Sequence, residues 1–171
     1  MKGVLQEQNS SISEWIKSVK ERAARGEAFD RLVLSALYLQ GEGVPQSYAE
    51  AFSIVKALAE NGDALACFDV GLAYSLGRGV MRDYGMAFVW FDKAANLGIP
   101  VAQENMGYFY EYGIATARDP VEAYKWFNLA AIGGLESAKR SRARSANIMT
   151  TDQIIEAQKR SVQWKSKIPG K

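Results

Sequence analysis

The chain contains no histidine among its 171 residues. That absence excludes His-dependent nucleophile triads, His-zinc protease motifs and imidazole metal sites together. Cysteine is nearly absent too. Cys67 stands alone, so neither an intrachain disulfide nor a multi-cysteine zinc site can form, and the usage fits a reducing compartment. No apolar run approaches the length of a membrane span, and residues 1–11 turn polar before the apolar core of a signal peptide could develop. The expectation is a cytoplasmic protein, or a periplasmic one if a leader has been removed. Strong net charge is also missing. Twenty-one basic and 19 acidic residues leave +2, too little for a protein built to coat nucleic acid or an anionic membrane.

What is present is glycine at a fixed interval. Gly26, Gly62, Gly98 and Gly134 stand 36 residues apart, and other positions keep that phase: Gly41, Gly77 and Gly113; Ala51, Ala87 and Ala123; Ala23, Ala59, Ala95 and Ala131. Self-similarity at one period is the signature of a tandem array whose units bury their cores against neighbours. Units run over 28–62, 63–98 and 99–134, each with two helices. Small residues recurring on facing helices allow close backbone approach, which larger side chains would prevent.

Helix starts and stops are written at the same period. The second helix of each unit opens at Ser47 with Glu50 three residues on, at Asp83, and at Asp119 with Pro120 and Glu122. A cap oxygen there satisfies an orphan N–H, the later glutamate reaches back, and proline suits the first helical turn. Gly62, Gly98 and Gly134 supply left-handed stops. Between the paired helices lie Gly41 and Gly43 before Val44, and Gly77 and Gly79 before Val80, suited to a tight turn that returns an apolar anchor to the core. The third turn reads Gly113, Ile114, Ala115, Thr116; without its second glycine it is expected to follow a different path.

The phase continues past both ends. Ser13 to Arg25 matches a second helix, with Ile16, Val19 and Ala23 on one stripe, and caps the array over 13–26. Leu135 to Asn147 supplies a first helix, and the capping box Thr150 with Gln153 opens a last one, giving a C-terminal cap over 135–164. Residues 1–12 and 165–171 read as flexible tails. Trp15 and Trp164 are expected to seal the two ends.

The string Gly71, Tyr74, Gly77, Gly79, Val80, Asp83, Ala87, Trp90, Phe91, Ala94, Ala95 and Gly98, repeated in the third unit from Gly107 and Tyr110 through Trp126 and Phe127 to Gly134, resembles the Sel-one-like repeat family, a relative of the tetratricopeptide repeats. The resemblance covers nearly the whole chain. It implies an all-α fold, an α/α superhelix (solenoid) of antiparallel helix pairs, with about three full repeats of 36 residues between N- and C-terminal capping helices. It further implies an adaptor or scaffold for protein complexes. Some relatives carry a cysteine pair in each repeat, which this chain lacks.

In arrays of this kind the first helices line the concave face. Helical geometry then places Leu65, Phe68, Leu72, Ser75 and Leu76 in the groove, with Val101, Glu104, Tyr108, Glu111 and Tyr112 in the next unit and Ser137, Arg140 and Arg144 in the cap. Aromatics beside charges of both signs have the composition of a protein-binding region. The reading is a non-enzymatic module that binds a peptide or helix of another protein, as a monomer and without cofactor or metal. An acidic-to-basic gradient would fix the orientation of that partner. An immunity or inhibitor protein neutralising a toxic enzyme, a role that resembles some members of the family, is the rival. Nucleic acid comes third: residues 135–171 carry nine basic and three acidic side chains, yet Trp164 is the only aromatic there and no nucleic-acid motif accompanies it. Trp90, Phe91, Trp126 and Phe127 recur at the period and are therefore assigned to the core rather than to a stacking platform. Cys67 is assigned as a small buried apolar side chain.

Overall fold

The computed structural model describes the backbone of residues 2–165 and the side chains of residues 11–164. Among the described residues there are nine α-helices and no strand. They fall into two compact units, Met1–Arg82 and Asp83–Lys171. The first holds α1 (Lys2–Ala24), α2 (Ala28–Gln40), α3 (Tyr48–Glu60) and α4 (Ala64–Leu76); the second holds α5 (Tyr84–Asn96), α6 (Pro100–Tyr112), α7 (Pro120–Ile132), α8 (Glu136–Ala146) and α9 (Thr151–Lys165). Six consecutive helices, α2 to α7, are each 13 residues long. α1 is helical from Lys2, ahead of Ser13. The side chains of residues 1–10, and with them most of the segment expected to be flexible, lie outside the described residues, as does 166–171 of the expected C-terminal tail.

Local chemistry sets the boundaries. Ser47 accepts from the Glu50 N–H, Asp83 from that of Met86, and Asp119 from those of Val121 and Glu122. Each such cap is worth about 1 kcal/mol. Thr150 and Gln153 exchange both bonds of a capping box. Neither Glu50 nor Glu122 reaches back: the Ser47 and Asp119 N–H groups donate to the Tyr38 and Tyr110 carbonyl oxygens, and Glu122 is drawn to Lys125 and Arg160. Asp63 caps α4 through the Ala66 N–H, a start that the 36-residue pattern did not single out. After α3, α5 and α7 the chain turns through Gly62, Gly98 and Gly134 at φ +89°, +89° and +93°, where a β-carbon would be strained.

The third inter-helix turn does not diverge. Ala115 adopts φ +56°, beside +66° at Gly43 and +73° at Gly79, so the loop keeps its path and an alanine bears the left-handed conformation. Gly79 could not be replaced in that way, because a β-carbon there would sit 2.0 Å from the Tyr48 carbonyl oxygen. Ala115 is exposed, and only its backbone strain opposes the side chain.

In the first unit Ile16, Leu37 and Val44 are buried together with Val33 and Tyr38 packed on them, and an ion pair of 2.7 Å between Arg22 and Asp30 ties α1 to α2. Trp15, expected to seal the N-terminal end, is 48% exposed. Cys67 is buried, with its sulfur 3.6 Å from the Ala59 carbonyl oxygen. In the second unit Phe91 and Phe127 are both essentially inaccessible, and burial of such a side chain stabilises by about 1.5–3 kcal/mol. Phe91 meets the ring of Phe109 at 5.9 Å, and Phe127 that of Tyr108 at 5.1 Å, each near edge-on. Gly107 makes the second contact possible, since a β-carbon there would lie 2.4 Å from the Phe127 ring. Trp164 of α9 packs its ring on Trp126 at 5.8 Å and donates its indole N–H to the Asn96 side-chain oxygen at 2.9 Å.

Candidate partner-binding surface

The expected groove residues fall into two sets, one in each unit. In the first, Leu72 and Leu76 of α4 border an apolar recess with Leu39 of α2 and Tyr48 and Phe52 of α3. Arg78 covers the Tyr48 ring at 5.9 Å, and Phe52 meets Tyr74 edge-on at 5.5 Å. Leu65 is exposed and Phe68 half-buried, and neither borders the recess. Ser75 donates its hydroxyl to the Leu72 carbonyl oxygen of its own helix.

In the second unit the expected groove residues contact one another across two helices. Glu104, Tyr108 and Glu111 do not stand free on α6; they bind α8. Ser137 donates to one Glu104 carboxylate oxygen at 2.9 Å, and Ser141 and the Tyr108 hydroxyl share the other at 3.4 Å each. Tyr108 and Ser141 are 2.8 Å apart through their hydroxyls. Glu111 is only 9% exposed and takes a 2.7 Å ion pair from Arg144, whose guanidinium also lies over the Tyr108 ring at 5.8 Å. The hydrogen bond that Arg144 donates to Glu111, foremost, raises the guanidinium pKa above its ordinary value. Val101 is half-buried.

These contacts leave a different surface from the one expected. Tyr112 is 63% exposed and lies nearly parallel to Tyr108, with ring centres 6.3 Å apart. With Glu111, Arg118, Arg144 and Ile148 it lines a recess. Arg140 is exposed one turn before Arg144 on α8. Arg118 and Ile148, in loops, were not among the sequence candidates. A signal existed for Arg118, which shares the 36-residue phase with Arg82 directly before a capping aspartate; Ile148 lies beyond the last full repeat and had none. The basic excess of the C-terminal region is also partly committed inside the unit. Lys139 pairs with Glu136, Arg142 donates to Asn128, and Arg160 pairs with Glu122 and Glu156.

Comparison with known proteins places this architecture. The family model of the Sel1 repeat matches residues 33–63, 64–99 and 100–135, more than half of the chain. The chain belongs to the Sel1 repeat family. Among solved structures, this Sel1 repeat chain is 29% identical to a protective antigen present in uropathogenic Escherichia coli strains and displaying an SLR fold, with a TM-score of 0.80; the match covers 89% of this chain and 32% of the antigen. It is 38% identical to a Sel1 repeat protein from Oxalobacter formigenes, with a TM-score of 0.69 over 75% of this chain and 96% of that one. The chain thus spans about a third of the antigen's length. No curated protein matches it. Sel1 repeat proteins are generally scaffolds for protein–protein interaction, and their fold is typically non-catalytic.

Proposed function

We propose that this chain is a non-enzymatic interaction module that holds a peptide or helix of a partner protein on the α6–α8 surface of its second unit. The observation that carries the reading is Tyr112, a large aromatic left 63% exposed and backed by a neighbouring ring that is itself anchored through its hydroxyl to Ser141. An aromatic held in place before binding loses little rotamer freedom on contact, and such residues dominate interface energetics. The apolar recess at Leu72 and Leu76 offers a second, separate anchor point in the first unit.

The test is a photo-crosslinking amino acid placed at Tyr112 and, as control, at Val162, which is 71% exposed on α9. Adducts with a protein in the source cell that form from position 112 and not from 162 are expected. Identical adducts from both positions, or none from 112, would remove the surface from consideration.

A further inference from the structure

The charges of the α6–α8 surface point to the chemistry of its occupant, and this step rests on the reading of that surface as a docking site. The sequence reading set an acidic-to-basic gradient along this surface to orient a partner, with Glu104 and Glu111 among its groove residues. The structure removes both carboxylates from that role. Glu104 accepts from Ser137, Ser141 and Tyr108; Glu111, nine-tenths inaccessible, is neutralised by Arg144. Among the described residues Glu111 is the one carboxylate lining the recess, whereas Arg118 and Arg144 both line it. Arg144 stays 52% exposed at its side chain while it makes its pair. Among the described residues the Arg118 side chain has no hydrogen bond or ion pair, and that of Arg140 has only an electrostatic attraction to Glu136 four residues before it. At the recess the arginines are the exposed charges and the Glu111 carboxylate is turned inward; Glu136, exposed one turn before Arg140, is paired with Lys139.

Two apolar groups, the Tyr112 ring and Ile148, each 63% exposed, line the same recess as Arg118 and Arg144. Exposed apolar surface beside unpaired guanidinium groups is complementary to a chain that alternates carboxylates with an apolar side chain, because guanidinium binds carboxylate in a bidentate fork. We infer that the second unit docks an acidic peptide segment, with an aliphatic residue seated between Tyr112 and Ile148 and flanking Asp or Glu side chains held by Arg118, Arg140 and Arg144.

The test uses the full chain and a short fluorescein-labelled peptide of alternating glutamate and leucine, followed by anisotropy. Its controls are the same peptide with lysine in place of glutamate, and a single-stranded DNA oligonucleotide. Preferential binding of the acidic peptide is expected, weakening as salt is raised. It should fall about tenfold or more in the variant Arg118→Glu with Arg140→Glu, whose melting curve is recorded alongside so that loss of binding is separated from loss of fold. Tyr112→Ala should weaken it as well. Equal binding of the lysine peptide, no binding of either, or unchanged affinity in the double variant would overturn the inference. So would DNA binding more tightly than the peptide, since the surface would then be reading phosphate. Crosslinking from position 112 separates the two levels. If adducts form there but map to basic or neutral stretches of the partner, the docking surface stands and its acidic preference fails. If no adducts form, the docking surface itself fails.

Discussion

At the scale of single residues, periodicity announces a role and packing decides whether it is kept. Ala115 occupies the position that glycine holds in the two preceding turns, yet its backbone follows the same left-handed path at φ +56°. A left-handed non-glycine residue costs about 1–2 kcal/mol, part of which is offset by the smaller freedom of alanine in the unfolded chain. Ala115→Gly is therefore expected to stabilise by about 0.5–1 kcal/mol, raising the thermal midpoint by a few degrees for a chain of this size. A lowered midpoint in that variant would mean that the alanine methyl makes a favourable contact outweighing its strain. The recurring tryptophans show the opposite case, in which packing leaves a polar group unsatisfied. Trp90 and Trp126 are buried with indole N–H groups that lack a hydrogen-bond partner, while Lys93 and Lys125 place ammonium groups over their rings at 4.0 and 4.2 Å. Cation–π attraction of about 0.5–2 kcal/mol is of the size needed to offset such a loss.

At the scale of helices, the ends were legible and the docking of the last helix was not. Caps act through side chains two or three residues from the N–H they satisfy, so a string of residues suffices to read them. The attachment of α9 depends on Glu122, 38 residues before its partner Arg160, and no local pattern marks that pair. Burial alone would raise the Glu122 carboxyl; hydrogen bonds from Lys125 and Arg160 outweigh it, and the group ends below its ordinary value of 4.5. A carboxyl depressed in the folded state stabilises fully above its unfolded value, and the contribution is lost as pH falls through the folded one. Glu122→Gln should accordingly lower stability by about 1–2 kcal/mol at neutral pH. The difference between variant and parent should shrink as the buffer is taken well below pH 4. Thermal melts followed by far-ultraviolet circular dichroism would check this, and a difference that stayed constant with pH would show that Glu122 acts through its shape rather than its charge.

At the scale of the whole molecule, the two units differ in how their cores are filled. The largest fully inaccessible side chains of the second are Phe91, Phe127 and Met106; those of the first are Val19, Val70 and Cys67. In repeat arrays stability is close to a sum of unit and nearest-neighbour contributions, so such differences persist locally instead of averaging out. Native-state hydrogen exchange is expected to find the central amides of α6 and α7 protected at least about tenfold beyond those of α2 and α3. Equal protection across both units would indicate one cooperative block.

The 36-residue period fixed the helix pairs, their caps and stops, and the assignment of Trp90, Phe91, Trp126 and Phe127 to the interior, because each of these depends on neighbours within one repeat or at one repeat's distance. The side of α6 on which Glu104, Tyr108 and Glu111 lie followed from helical geometry as well. Only the tertiary structure decided what those three side chains do there. Their partners Ser137, Ser141 and Arg144 sit about one repeat further along, and whether opposite charges so placed meet each other or meet solvent depends on side-chain reach across two helices, which residue order does not encode. That reach gave the carboxylates internal partners and left Tyr112, Ile148, Arg118, Arg140 and Arg144 exposed.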